Sequence, residues 1–333
     1  MPTSRVIARG PATVDVKALV TGAGGFAGQW LCRDLSRRGW SVTGTTFDDP
    51  PAAGVIAPED HAEITWRRDD LRDRAAASAA LDAAMPEVVF HLAGVAFVPS
   101  AGSDPTGALD LNVGATVRLL SALRDRRAAG TLDPVVVIVG SAEQYGRHDA
   151  QAMPMHENTE CRPRNFYAAT KMAQEEFALE AFRSAGVRVV CTRSFNHSGR
   201  GQAKSFLLPA LVERAIAAKL SGTAVPIGNT TTVRDFSHVE DVVRAYVLLA
   251  EHGRAGEVYN VCSGQGVSVG DVAAEVMRAV GVTAPLVPDP DLQRPVDVPI
   301  LVGDNSKLRT DTGWAPQRSR ADIISDLIHA ASH

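Results

Sequence analysis

The chain has 333 residues and a net charge of −4, with 45% hydrophobic and 22% charged residues. That is length for one large or two modest domains around a substantial core, and the slightly acidic balance argues against nucleic acid or an anionic membrane as the main partner. No apolar run approaches the ~20 residues that span a bilayer, and Cys32, Cys161, Cys191 and Cys262 are scattered without metal-ligand spacing, so the expectation is a cytoplasmic protein with reduced thiols.

Residues 1–14 contain Arg5, Arg9, Gly10 and Pro11 but no apolar stretch, and read as a flexible tail. Lys17–Thr21 is a short apolar run ending in Gly22-Ala-Gly-Gly25-Phe26-Ala-Gly28, and Gln29–Arg38 follows with helical spacing, Leu31 and Leu35 inward. Strand, glycine turn and helix in that order suit a pyrophosphate, because glycines let the backbone approach it and the helix N-terminus supplies free N–H groups. Ser41–Thr46 reads as the second strand, followed by Asp48. An acidic group there binds the adenosine ribose and selects NAD, a basic one admits NADP. No arginine stands at the strand end, which slightly favours NAD; Asp48 is either the ribose ligand or a loop residue facing water.

Pro50, Pro51 and Pro58 mark a surface loop, and a strand over Glu63–Arg67 leads to Asp70 and Leu71, an adenine-side contact. Ala75–Ala84 is a predicted helix, and Glu87–Gly94 a buried strand that runs through His91, Leu92 and Ala93 into a small-residue turn. His91 is read as structural, and Ala93 and Gly94 as small enough to let a dinucleotide pass. Asp104–Arg127 is a predicted long helix, capped by Asp104 with Pro105 in its first turn, and Leu109, Val113, Val117 and Leu120 along one side. Asn112 among them is a polar group expected to bond backbone or cofactor. Pro134–Val139 is an unbroken β-branched run, as in a central parallel strand, and it delivers Ser141, Glu143 and Tyr145 to the end of the sheet where α/β folds place ligands.

A helix from a cap at Asn165 to about Ser184 carries Tyr167 and Lys171, four apart and on one face. A lysine ammonium beside a phenol is expected to lower the tyrosine pKa from ~10, making it a proton donor or acceptor at neutral pH.

Thr21-Gly22-x-x-Gly25-x-x-Gly28, His91-Leu92-Ala93-Gly94, Ser141 four before Tyr145, and Tyr167-x-x-x-Lys171 together resemble the extended short-chain dehydrogenase/reductases. That family comprises nucleotide-sugar epimerases, dehydratases and reductases. The resemblance implies NADPH or NADH as cofactor, bound along Gly22, Gly25, Phe26, Gly28, Asp48, Asp70, Leu71, Leu92 and Ala93. It implies a catalytic set in which Tyr167 exchanges the proton, Lys171 tunes Tyr167 and holds the nicotinamide ribose, and Ser141 bonds the reacting oxygen. The segment Arg193-Ser194-Phe195-Asn196-His197-Ser198-Gly199-Arg200-Gly201-Gln202 is similar to the R-P-F-N-H-x-G-P-G-Q of the GDP-sugar branch, with Ser194 and Arg200 replacing prolines. Residues 294–308 and 312–316 look closest to the GDP-4-dehydro-6-deoxy-D-mannose reductases. A nucleotide diphosphate needs forked cationic donors, which makes Arg234 and Arg294 the expected clamps and Asn196 a further donor. Asp297 either accepts from guanine or ribose or simply pairs with Arg294, and Arg200 is either a substrate contact or solvated.

The reaction stays open between reduction of a C4 ketone, 4,6-dehydration and 4-epimerisation. Glu143 matches the carboxylate that dehydratases use as the C5 base, yet reductases resembling this chain carry it too. Ala142 removes the acidic neighbour found in the glucose-type dehydratases. A cofactor-binding regulator on the same fold usually lacks the catalytic pair, so Ser141, Tyr167 and Lys171 argue against one. The expected architecture is a Rossmann-type doubly wound parallel sheet over 15–193, with 232–262 returning to it, and a smaller nucleotide-sugar lobe from 194–231 and 263–333. Relatives commonly dimerise through the helix after the fourth strand and the Tyr167 helix, so a homodimer is implied.

Overall fold

The structure is a computed structural model that describes residues 16–51, 55–293 and 298–332; the expected tail lies outside the described residues. Strand β1 (Lys17–Thr21) leads through the glycine turn into helix α1 (Phe26–Arg37), and β2 (Ser41–Thr46) follows. Helix α2 (Pro58–Ala62) lies where only a loop was expected, because Pro58 opens its first turn, where a missing N–H costs nothing. Then come β3 (Ile64–Arg68), α3 (Arg74–Ala84), started by the Asp73 side chain accepting from the Ala75 amide, and β4 (Val88–His91).

The expected long helix differs in its interior. Helix α4 (Val98–Ser103) precedes it, Asp104 caps α5 (Pro105–Leu109) by accepting from the Gly107 amide, and a π-helical turn (Asp110–Gly114) joins α5 to α6 (Ala115–Ala128). The wider turn inserts a residue into the helical phase. Leu109, expected on the inward side, is therefore 47% exposed, while Asn112, Thr116, Leu119 and Leu123 are buried. Strand β5 (Val135–Ser141), α7 (Phe166–Ala185) and β6 (Arg188–Ser194) complete the first two-thirds.

Seven strands form one all-parallel sheet in the order β3-β2-β1-β4-β5-β6-β10, where β10 is Glu257–Val261. Val135, Val136 and Val137 of β5 are fully buried, since helices cover both faces. Leu31 and Leu35 of α1 pack on one face with Val242 and Leu249 of α9 (Val239–His252). Leu81, Leu119, Leu123 and Ala178 pack on the other. A fully buried leucine contributes roughly 1.5–3 kcal/mol relative to an exposed one, so these stripes fix the helices that carry the site.

The remaining chain builds a second layer. Strands β7 (Asn196–Ser198), β9 (Val233–His238), β11 (Gly266–Ser268) and β13 (Ile300–Leu301) form a small mixed sheet, and β8 (Val225–Ile227) pairs with β12 (Leu286–Pro288). Helices α8 (Leu207–Ser221), α10 (Val269–Val280) and α12 (Arg320–Ala331) cover it around Leu211, Val272 and Leu327. Helix α11 (Ser306–Thr312) sends Leu308 back into the core of the large sheet. The segment 232–262 thus divides: β9 belongs to the small sheet, α9 and β10 to the large one.

Candidate active site

The carboxyl ends of the parallel strands open into a cleft of about 850 Å³. Its first wall is the turn between β1 and α1. Gly22 has φ +70°, and a Cβ there would lie 2.7 Å from the Ala93 amide nitrogen; one on Gly28 would lie 2.2 Å from the Gly22 carbonyl oxygen. Only glycine lets these three segments touch. Gly25 is the N-cap of α1 and offers no side-chain cap, so the first amides of the helix are free for an anion. A dinucleotide pyrophosphate fits this cradle. Gly22, Gly25, Phe26, Gly28, Asp48, Asp70, Leu71, Leu92 and Ala93 all line the cleft.

At the other end the cleft is lined by Ser141, Glu143, Tyr167 and Lys171. Ser141 ends β5 and its hydroxyl accepts from the Glu143 amide at 3.2 Å, which tightens the following turn. Asn165 caps α7 by accepting from the Ala168 amide and donates its Nδ2 to Glu143 Oε2 at 3.3 Å, placing that carboxylate beside Tyr167. The Tyr167 ring packs against Ala101 and Ala108, and the residue is 8% exposed.

The electrostatics correct the expected tyrosine. Burial pushes the Tyr167 phenol up to about 12, Ser141 beside it pulls the other way, and the Glu143 charge adds to the rise. Lys171 does not offset this, because its ammonium donates to the Val139 carbonyl at 3.1 Å and to Gln174 Oε1 at 2.9 Å. Burial lowers Lys171 itself to about 8. The pair is a neutral phenol beside an ammonium that parts easily with its proton.

The adenine-side end has a different build. Asp48 and Asp49 follow β2, and Thr46 holds that turn by donating to the Asp48 carbonyl at 2.5 Å. Arg68 stands in register with Thr46 and reaches Asp49 at 3.4 Å. Arg72 bonds both oxygens of Asp70 and lies 4.9 Å over the Phe47 ring; the guanidinium holds Asp70 below the usual carboxylate range. Cations do lie near the end of β2, but they come from β3 and the segment after it, each beside a carboxylate.

Asn196, expected to touch substrate, lines the cleft from the second layer, whereas Arg200 and Arg234 lie outside its lining. Arg200 packs its guanidinium 5.9 Å from the Trp30 ring, and buried Arg234 on β9 donates to the Val233 carbonyl. Arg294 and Asp297 lie outside the described residues. His91 is buried between Thr21 at 2.8 Å and Thr116 at 2.9 Å, and burial depresses it to about 3, consistent with a structural role.

Several supporting residues carried no sequence signal. Gln144 accepts from the Ser141 amide and donates to Glu175, which Arg193 grips with two bonds of 2.9 and 2.7 Å. This buried set ties the Ser141 turn to α7. Phe97 and Phe206 meet edge to face at 5.3 Å across the cleft. By contrast, Asn112, which the sequence marked as a polar group bonding backbone or cofactor, accepts from the Val95 backbone amide and donates to Thr170, which fastens the π-turn to α7. Among the described residues no cluster of His, Cys, Asp or Glu could hold a metal, and no helix is long and apolar enough to cross a membrane.

Comparison with known proteins places relatives around this geometry. The family described as GDP-mannose 4,6 dehydratase matches residues 19–327. GDP-6-deoxy-D-mannose reductase of Pseudomonas aeruginosa is 36% identical over 248 residues, which span 73% of this chain and 80% of that protein. The solved structure of RMD from Pseudomonas aeruginosa with NADPH superposes with a TM-score of 0.79 at 29% identity, covering 96% of this chain and all of that one. The UDP-glucose 4-epimerase of Thermus thermophilus, solved with NAD, gives a TM-score of 0.81 at 26% identity over 94% of this chain and 98% of its own.

Proposed function

This chain belongs to the GDP-mannose 4,6-dehydratase family of extended short-chain dehydrogenase/reductases, and we propose that it reduces the C4 ketone of GDP-4-dehydro-6-deoxy-D-mannose to GDP-D-rhamnose. The reduced nicotinamide of NADPH or NADH supplies the hydride when bound. Tyr167 breaks its O–H bond to protonate the C4 oxygen, leaving a tyrosinate that Lys171 reprotonates, and the Lys171 amine regains its proton from solvent through the cleft it lines. Ser141 bonds the same oxygen and orients it. Gly22, Gly25 and Gly28 admit the pyrophosphate, and Asn196 meets the sugar or its diphosphate. Arg294 and Asp297 are the proposed nucleotide contacts on the strength of the sequence resemblance, while buried Arg234, outside the cleft lining, is not among them.

The observation that carries this reading is the 36% identity to GDP-6-deoxy-D-mannose reductase over 73% of this chain. The geometry agrees with it: burial holds the Tyr167 phenol neutral, ready to give a proton to a ketone oxygen.

The second reading is GDP-mannose 4,6-dehydration. Glu143 favours it, because Asn165 holds in the cleft near Tyr167 a carboxylate that could serve as the C5 base. Incubation with GDP-mannose alone, then with the 4-keto sugar plus NADH or NADPH, separates the two. Oxidation of the reduced cofactor only with the keto sugar is the expected result; conversion of GDP-mannose without added reductant would overturn it.

The proposed assembly is a homodimer. Phe166, Met172 and Phe177 are 40–46% exposed and flank Ala169 on the outer face of α7, an apolar stripe of the kind that two copies bury together. Phe177→Glu is expected to yield a monomer by light scattering.

A further inference from the structure

Behind Lys171, four buried polar side chains from four elements form a line. Gln174 of α7, Thr116 of α6, His91 of β4 and Thr21 of β1 are each fully buried. Gln174 Nε2 donates to Thr116 Oγ1 at 2.9 Å, His91 Nε2 lies 2.9 Å from the same oxygen, and His91 Nδ1 lies 2.8 Å from Thr21 Oγ1.

The direction of every bond in the line follows from its donors. The single Thr116 hydroxyl hydrogen goes to the Asn112 carbonyl at 2.7 Å, so Thr116 Oγ1 accepts from both of its other neighbours. His91 must then carry its hydrogen on Nε2, and its bare Nδ1 accepts from the Thr21 hydroxyl. Thr21 Oγ1 in turn accepts from the Ala93 amide at 3.3 Å. The Gln174 amide nitrogen is committed to Thr116, so its oxygen has to face Lys171; turned over, it would set an NH2 against an ammonium and an amide oxygen against Thr116 Oγ1, whose hydrogen is already given to Asn112.

We propose that Gln174 is the positioning residue of Lys171, its amide locked by Thr116, His91 and Thr21 so that one acceptor always meets the ammonium. Resting on the reading of Lys171 as the proton source for Tyr167, the inference adds how that lysine is aimed. Two of its three N–H groups are taken, by Val139 and Gln174, which leaves one for the cleft. Nζ lies on the cleft wall beside Gly94, where an added Cβ would lie 3.4 Å from it. The line ends at the Ala93 amide, against which Gly22 packs, so the lysine and the pyrophosphate turn share one rigid support.

The ionisable groups around Lys171 are neutral His91 on β4, Tyr167 and Glu175 on its own helix, the latter held by Arg193, and, beyond Tyr167, Glu143 after β5 and Tyr246 of α9; among the described residues no carboxylate pairs with the ammonium. A charge placed at position 174 therefore acts on Lys171 directly. The chain has five lysines, so the Nζ titration of Lys171 can be followed by 15N NMR without cofactor or sugar, assigned by its loss in Lys171→Met. Gln174→Glu keeps the side-chain length but replaces the donor to Thr116 with an acceptor, and is expected to raise the Lys171 midpoint by a unit or more. Gln174→Met is expected to lower it, and to reduce kcat for the keto sugar at least tenfold with a smaller change in the sugar KM. The alkaline limb of the kcat profile should shift with each midpoint. Folded variants whose Lys171 titrates within 0.3 units of wild type would overturn the inference, and Gln174→Glu alone decides it if the methionine variant does not fold. Because the titration needs no substrate, it stands or falls separately from the assigned reaction: a moved midpoint in an enzyme inert toward the keto sugar would sink only the latter.

Discussion

The two ends of the cleft solve opposite problems. At the Tyr167 end, Ser141, Tyr167 and Lys171 are nearly buried, and their partners come from distant parts of the chain, as with Gln174 and Thr116, 58 residues apart. At the Asp48 end the charged groups are exposed, and Asp70 and Arg72 are sequence neighbours that bond each other. Burial shifts ionisation and fixes geometry, whereas exposed pairs are screened by water and contribute little to stability. Chemistry is therefore expected to depend on the first end, and discrimination between cofactors on the second.

The sharpest break of this contrast is Tyr167→Phe. The phenyl ring keeps the packing against Ala101 and Ala108, and the loss of the only proposed proton donor is expected to lower kcat by about 10²–10⁴-fold with cofactor affinity nearly intact. Turnover close to wild type would remove the Tyr167 end from the mechanism.

Lys171 tests what burial costs. Its folded pKa of about 8 lies below the ordinary 10.5, so the unfolded chain takes up a proton first as pH falls. Stability is present in full above about 10.5, declines between 10.5 and 8, and stays lowered below that. Tyr167 acts oppositely and only above pH 10, where the unfolded chain ionises first and stability falls. Between pH 8 and 10 the wild type is expected to gain on the order of 2–3 kcal/mol relative to Lys171→Met, read from urea denaturation at each pH. Parallel curves for the two proteins would show that the ammonium is solvated.

Legibility in sequence follows the same division. β1 falls on the apolar run Lys17–Thr21 and β2 on the expected Ser41–Thr46, and the Asp104 and Asn165 caps accept the amides that capping rules require. Local rules suffice there. The π-turn at Asp110–Gly114 has no local signature, and it shifts the helical phase between exposed Leu109 and buried Asn112. The i, i+4 spacing of Tyr167 and Lys171 was visible, but the direction of the ammonium was not, since it depends on Val139 and Gln174 closing around it in three dimensions. The spacing suggested a lowered phenol pKa; the packing raised it.

The smallest expected effects lie at the Asp48 end, and they sharpen the contrast most finely. A 2′-phosphate would have to settle among Asp48, Asp49 and Asp70, whose cationic neighbours Arg68 and Arg72 already face carboxylates. An adenosine ribose instead meets an acceptor in Asp48, the arrangement that suits NADH. NADH is therefore expected to show the higher kcat/KM, and Asp48→Asn to narrow the gap. Arg72→Ala frees Asp70 and should change either cofactor's KM by roughly two- to five-fold, with no measurable shift in melting temperature. If NADPH proves the better donor and Arg72→Ala abolishes that advantage, Arg72 leaves Asp70 for the phosphate, and this exposed end rearranges on binding where the Tyr167 end is already set.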